Sequence, residues 1–185
     1  MKHLNWCKIA RPKQITPKGD WNVWLILAGR GWGKTRTGAQ DIAFYGLTRP
    51  NSRIAIVAPT HRDGRDTCIE GISGLLSCFD RELIENWNRS IGELTLKNGT
   101  IYRTFSAEQP DRLRGPQFHR AWCDELGAWK NDEAWDQLLF GLRLGENPQI
   151  VVTTTPKPTD IIKELVSSKD SLVTRGSTFE NKDNL

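Results

Sequence analysis

The chain has 185 residues, a formal net charge of +4, and 37% hydrophobic against 26% charged residues. This balance is typical of one folded, water-soluble domain and excludes a disordered chain. No apolar run approaches the roughly 18 residues that cross a bilayer, and the N-terminus lacks the apolar core of a signal peptide, so we expect no membrane partner.

The first twenty residues carry Pro12 and Pro17 and show no hydrophobic periodicity. We predict an irregular lead-in over residues 1–20. Five basic residues come before the first acidic residue, Asp20: Lys2, Lys8, Arg11, Lys13 and Lys18. Such an arm either binds phosphates or is simply solvated.

From residue 21 onward, apolar runs alternate with helical spacing. The predicted strands are 23–27, 53–58, 91–96, 100–105, 119–124, 149–154 and 172–175. The predicted helices are 33–46, 61–78 (with Ile69, Ile72 and Leu76 on one face), 132–144 (with Trp135, Leu138, Leu139 and Leu142 inward) and 161–166. Lys97-Asn98-Gly99 between two strands is typical of a β-hairpin. The alternation predicts an α/β fold with a mostly parallel sheet and helices on both faces, which binds ligands at the carboxyl ends of its strands.

The most specific motif directly follows the first strand and reads Ala28-Gly29-Arg30-Gly31-Trp32-Gly33-Lys34-Thr35. A strand that breaks into a glycine-rich loop ending in Gly-Lys-Thr is typical of the phosphate loop (P-loop, or Walker A motif) of nucleotide-hydrolysing enzymes. Its backbone N–H groups surround the phosphates of ATP, Lys34 reaches the β- and γ-phosphates, and the Thr35 hydroxyl holds Mg²⁺. Ala28 replaces the usual first glycine. The predicted nucleotide-binding residues are Gly29, Arg30, Gly31, Trp32, Gly33, Lys34 and Thr35; an ordinary glycine-rich turn is the alternative.

A pair of carboxylates, Asp124 and Glu125, ends the predicted strand 119–124. We assign Asp124, together with Thr35, to Mg²⁺ and Glu125 to the general base that polarises the attacking water. An isolated Asp-Glu pair is more often a surface feature. The phosphate loop earlier in the chain makes the assignment specific.

Weaker patterns suggest three further groups. Thr153, Thr154 and Thr155 follow a strand and could sense the γ-phosphate, although threonine is also a good strand residue. Arg114 lies in a turn before Gly-Pro and could neutralise the charge that develops in phosphoryl transfer, a role that an arginine often performs in a neighbouring subunit. Arg30 is the other candidate for this role. The alternative for Arg114 is an ordinary solvated turn. Gln14 could read the adenine edge. The Trp32 side chain either covers the nucleotide or packs behind the loop.

Five segments together resemble the ATPase domain of the large terminase subunit, the DNA-packaging motor of tailed phages. They are residues 11–14 with 21–25, 28–35, 113–116, 121–125 and 153–156. The Ala-first phosphate loop is usual in that family, and Ser177-Thr178-Phe179-Glu180-Asn181 resembles its exit toward a linker. The resemblance implies a P-loop NTPase fold of the ASCE/RecA-like class over residues 21–176, with a linker beginning at 177–185. It also implies that Glu125 is the catalytic base, that Thr153–Thr155 couple hydrolysis to movement, and that Arg114 completes a neighbour's site.

The same resemblance implies ATP-driven translocation of double-stranded DNA into a procapsid in the host cytoplasm. The implied partners are a homo-oligomeric ring on a portal protein and a small terminase subunit that selects the DNA. Family members continue into a nuclease domain of the RNase H type, whereas this sequence stops at Leu185. We therefore expect an excised domain, a truncated prophage remnant or half of a split gene, without DNA cleavage by this chain alone.

Two other functions remain open on the sequence. A helicase-type motor would typically show Asp-Glu-Ala-Asp, whereas Leu126-Gly127 follow Glu125 here, and it would need a second motor domain. A catalytically silent remnant would bind nucleotide or DNA without turnover. ATP hydrolysis that is lost in Glu125→Gln while binding persists would separate these readings.

Overall fold

The computed structural model describes residues 2–184, and the side chains of residues 5–181. The strands are β1 (Val23–Ala28), β2 (Arg53–Ala58), β3 (Ile84–Asn88), β4 (Glu93–Leu96), β5 (Ile101–Ser106), β6 (Arg120–Asp124), β7 (Gln149–Thr154) and β8 (Ser171–Gly176). The α-helices are α1 (Lys2–Ile9), α2 (Lys34–Thr48), α3 (Glu133–Gly141) and α4 (Asp160–Ser167). No helix within residues 2–184 is long and apolar enough to cross a membrane.

All eight strands form one sheet in the order β3-β4-β5-β2-β6-β7-β1-β8. The six strands from β5 to β8 in this order pair in parallel, and β4 and β3 extend the sheet antiparallel at one edge. The mostly parallel sheet and the β4–β5 hairpin are therefore confirmed. Strand β3 was not predicted. Because β1, β7 and β6 are neighbours, the segments that follow them meet at one edge of the sheet.

The sheet is covered on both faces, as the sequence predicted. On one face α2 packs Ala39, Ile42 and Ala43 into a core with the strand residues Trp24 and Trp122. On the other face α3 and α4 bury apolar side chains, which include Leu138, Ile161 and Leu165. These layers fix the strand ends from which the loops at the candidate site emerge.

The helix predicted over 61–78 is wrong. A π-helix spans Asp63–Ile69 and a 3₁₀ turn spans Leu75–Cys78. The helix is interrupted around Gly71 and Gly74, where only glycine fits, because a Cβ would lie 2.5 Å from Thr67 O and 2.7 Å from Ile69 O. Ile72, which has helical spacing with Ile69 and Leu76 in the sequence, is 96% exposed.

Two further predictions need correction. The N-terminal lead-in contains the helix α1 and a 3₁₀ turn at Pro12–Gln14. Trp6 stabilises α1 there because its side chain is buried and its ring lies under the Arg36 guanidinium of α2, with 5.9 Å between them. On α3, which is shorter than predicted, Leu139 is exposed instead of inward-facing, while Trp135 and Leu138 are buried.

Candidate functional site

The phosphate loop connects β1 to α2 at the carboxyl edge of the sheet. Gly31 and Gly33 have φ values of 75° and 98°, a left-handed conformation that glycine adopts without strain. The loop borders a cleft of about 480 Å³, which is lined by Gly31, Gly33, Lys34, Thr35, Arg36, Asp66, Thr67, Gly71, Ile72, Ser73 and Asn181. The wall opposite the loop comes from the irregular segment after β2. A cleft of this volume lies within the size range of small-molecule binding sites.

Lys34 and Glu125 meet beside the loop although they are distant in sequence. Lys34 is 8% exposed, and its Nζ donates a hydrogen bond to Gly29 O at 3.2 Å. Its Nζ also lies 3.7 Å from Glu125 Oε1. The sheet order brings together the two residues to which the sequence assigned phosphate binding and base catalysis.

Asp124 is buried at the end of β6 and held by donors on both oxygens. Thr153, its register partner on β7, donates to Oδ1 at 2.7 Å, and Cys68 lies with Sγ 3.7 Å from Oδ2. Trp122 Nε1 in turn donates to Thr153 Oγ1 at 2.7 Å. Burial raises the pKa of Asp124 to about 6, while the hydrogen bond from Thr153 opposes the shift. The carboxylate is therefore fixed in direction before any ligand binds.

Glu125 joins the loop to the threonine segment, Thr153–Thr155, at the end of β7. Its backbone has φ 48°, an uncommon conformation for a residue with a side chain. Its Oε2 accepts a hydrogen bond from the Thr155 backbone N–H at 3.1 Å, and its Oε1 lies 3.4 Å from Thr155 Oγ1. Thr154 Oγ1 accepts from Gly127 N at 3.1 Å. Thr153, Thr154 and Thr155 therefore contact the carboxylate segment itself.

Two residues predicted near the nucleotide have buried side chains. The Trp32 side chain is fully buried against Gly176 of β8, where a Cβ would come within 2.2 Å of its Nε1. It packs behind the loop instead of covering the cleft. Gln14 is buried as well, and its Nε2 lies 3.2 Å from Thr37 Oγ1 of α2.

The two candidate arginines are exposed. Arg30 lies at the surface of the phosphate loop. Arg114 Nε lies 3.2 Å from Asp111 Oδ1, and its Nη2 lies 3.7 Å from Glu133 Oε1. Arg114 borders a different cleft, together with Phe140 and Arg143. Within one chain, the structure does not bring Arg114 to the phosphate loop.

Sequence reasoning missed Cys68, Trp122, Arg11 and Asn181 as parts of this region. The sequence did contain a signal for Trp122, because it lies on the strand that ends in Asp124. Parallel pairing of that strand with β7 brings the Thr153 hydroxyl to the Trp122 side chain. Cys68 gave no such signal because a π-helix carries it to Asp124. Asn181 comes from the far end of the chain.

One protein family matches most of the chain. The family model described as "Terminase large subunit, T4likevirus-type, N-terminal" matches residues 25–169. No curated protein sequence matches the chain.

Three solved structures are similar in fold. The large terminase ATPase domain of Thermus phage P74-26 has a TM-score of 0.73 at 16% identity, over 90% of this chain and 80% of that one. The large terminase of another thermophilic bacteriophage has a TM-score of 0.73 at 14% identity, over 98% and 45%. The HK97 bacteriophage large terminase has a TM-score of 0.65 at 20% identity, over 85% and 35%. The chain thus spans less than half the length of the latter two. The second of these three terminases has also been solved in complex with ADP and with ATP-γ-S.

Proposed function

The chain belongs to the family of phage large terminase subunits, whose role is phage DNA packaging, and we propose that it binds ATP with Mg²⁺ and hydrolyses it to drive double-stranded DNA into a procapsid. The observation that carries this proposal is the distance of 3.7 Å between Lys34 Nζ and Glu125 Oε1. It supports the proposal because Lys34, the proposed phosphate-binding cation, and Glu125, the proposed base, lie side by side next to the phosphate loop. The family match favours neither a helicase-type motor nor a silent remnant.

The residues present fit a Mg²⁺ ion. Thr35 borders the cleft, and each oxygen of Asp124 accepts one hydrogen bond and keeps a further lone pair. Hydroxyl and carboxylate oxygens are the ligands that Mg²⁺ prefers, with phosphate and water completing its shell. When bound, Mg²⁺ neutralises charge on the β- and γ-phosphates. Thr35 and Asp124 are the residues that would hold it.

We assign the remaining steps to this chain's own side chains. Loop N–H groups and Lys34 bind the phosphates. As Lys34 moves to the phosphates it leaves Glu125, which is then free to accept a proton from the attacking water. That water oxygen bonds to the γ-phosphorus while the bond to the β,γ-bridging oxygen breaks, which yields ADP and phosphate. The contacts of Glu125 with Thr155 transmit this change in the surroundings of Glu125 to the threonine segment.

The finer assignments rest on the family resemblance. We propose residues 21–176 as the ATPase unit and 177–185 as the start of the exit toward a linker. The proposed partners are double-stranded DNA, a homo-oligomeric ring on a portal protein and a small terminase subunit, in the host cytoplasm. Arg30 and Arg114 are the proposed charge-neutralising arginines. Gln14 remains the proposed adenine contact, and its amide lies against Thr37 in the structure.

The test is ATP turnover by the purified chain at high concentration, with and without double-stranded DNA. We expect Glu125→Gln to lower kcat by roughly a hundredfold or more, because it removes the proton acceptor, while affinity for a fluorescent ADP analogue stays within a few-fold. Glu164→Gln, an exposed carboxylate on α4, is the matched control. Wild-type protein that binds no adenine nucleotide would contradict the proposal.

A further inference from the structure

The outward-facing carbonyls of the phosphate loop receive their donors from the two ends of the chain. In such a loop the N–H groups face the phosphates, so carbonyl groups face away and need other partners. Asn181 Nδ2 donates to Gly31 O at 2.6 Å. The Arg11 guanidinium donates to Trp32 O. These two contacts therefore hold Gly31 and Trp32, the two residues midway along the loop.

Arg11 and Asn181 also hold each other. Arg11 Nη1 donates to Asn181 Oδ1 at 2.6 Å and to Glu180 O at 3.1 Å. The guanidinium lies 5.0 Å from the Trp32 ring centroid. A planar guanidinium can serve several acceptors at once in fixed directions, which a lysine cannot. One side chain therefore ties the loop to the segment around Asn181.

Glu180 fastens that segment from its other side. Its Oε1 lies 3.0 Å from Lys13 Nζ, and its Oε2 accepts from Trp32 Nε1 at 3.2 Å. Thr178 packs so closely that a Cβ at Gly29 would lie 2.3 Å from its Oγ1. Residues 177–181 thus run along the back of the loop, and Asn181 reaches the cleft itself.

We propose that Arg11 and Asn181 are positioning residues of the phosphate loop, and that they link nucleotide binding to the stability of residues 177–181. The proposal rests on the proposed function, because it assumes that the cleft takes a nucleotide. The two carbonyl contacts hold the loop in the shape that binds phosphate. Because such coupling is reciprocal, nucleotide binding must stabilise the contacts that hold residues 177–181 in place.

Two substitutions test the positioning role. Asn181→Ala removes the donor to Gly31, and Arg11→Lys keeps the charge but replaces the two nitrogens that reach Asn181 and Trp32 by a single ammonium without the fixed fork geometry. We expect Asn181→Ala to raise the Kd for a fluorescent ADP analogue about tenfold, and Arg11→Lys by a smaller factor in the same direction. Phe179→Ala, in the same segment with its side chain 83% exposed, is the control and should stay within about twofold.

Hydrogen exchange tests the coupling, and its measurement on the wild-type chain does not depend on any variant. We expect ADP to slow exchange of the amides of residues 176–181, and Asn181→Ala to abolish that slowing. If wild type binds ADP but those amides exchange at the same rate, and Asn181→Ala binds as tightly, the inference is wrong while the proposed function stands. If wild type binds no ADP, the proposed function fails first. If Asn181→Ala does not fold, the wild-type exchange result decides.

Discussion

Glu180 has an unusually acidic carboxyl for a surface residue. Hydrogen bonds from the Ser177 backbone and from the Lys13 and Trp32 side chains lower its pKa from 4.5 to about 2. A lowered folded-state pKa means that these contacts stabilise the fold fully above pH 4.5 and lose that effect as pH falls toward 2. Acid should therefore release the contact between Glu180 and the back of the phosphate loop.

Glu180→Gln tests this at the level of one side chain. We expect the variant to be less stable than wild type above pH 4.5, and the difference to shrink steadily as pH falls from 4.5 toward 2. Urea unfolding across that window measures it, with Glu164→Gln as the control for a carboxylate away from the loop. A difference that stays constant down to the lowest pH would contradict the assigned contacts.

The site residues that could be identified from the sequence are those whose role follows from their immediate neighbours in the chain. Asp124 ends the buried strand β6, and Lys34 and Thr35 come after the glycine-rich loop that follows the buried strand β1, so strand, loop and chemistry could be recognised together. Cys68 and Asn181 reach the same region through contacts between distant segments. No local pattern indicates such contacts, because they depend on how the segments pack.

At the scale of elements, α2 lies unusually close to β6. A Cβ on Gly38 would lie 2.4 Å from Trp122 Nε1 and 2.5 Å from its Cε2. That indole N–H donates to Thr153, which in turn donates to Asp124. The glycine therefore sets both the packing of the helix and the position of the Asp124 carboxylate.

Gly38→Ala should destabilise the chain although alanine favours helix. Helix propensity alone would stabilise by about 1 kcal/mol, whereas overpacking against a fixed indole costs roughly 1–3 kcal/mol, so we expect a net loss. Denaturant unfolding of Gly38→Ala, Trp122→Phe and the double variant forms a thermodynamic cycle. The smaller ring should relieve most of the cost of the alanine; equal costs in both backgrounds would show that the clash is not with Trp122.

The segment after β2 shows where element prediction failed. Ile69, Ile72 and Leu76 have helical spacing, yet the chain turns at Gly71 and Gly74, where a Cβ would clash with earlier carbonyls. The result is a π-helix, which carries Cys68 to Asp124, and an open stretch that lines the cleft. π-helical turns occur frequently at functional sites. Apolar periodicity alone could not distinguish this arrangement from a buried helix.

For the whole molecule, the alternation of strands and helices predicted the class of fold but not the strand order. The order β6-β7-β1 unites the loop, the carboxylates and the threonines at one edge. It leaves Arg114 beside a separate cleft with Phe140, which is 74% exposed, and Arg143. Because Arg114 does not line the cleft at the phosphate loop of its own chain, we expect it to act at the loop of another copy of the chain.

Complementation between two inactive variants tests whether the site is shared. Arg114→Ala keeps the phosphate loop and Glu125→Gln keeps the arginine, so each should lower turnover strongly, Arg114→Ala on the order of a thousandfold. Mixed together, they should recover turnover that neither shows alone, because a Glu125→Gln subunit supplies its arginine to an intact neighbouring site. Arg143→Ala, beside Arg114, is the control. Wild-type turnover per chain should also rise with concentration; turnover independent of concentration, with no recovery on mixing, would instead place the arginine's action within one chain.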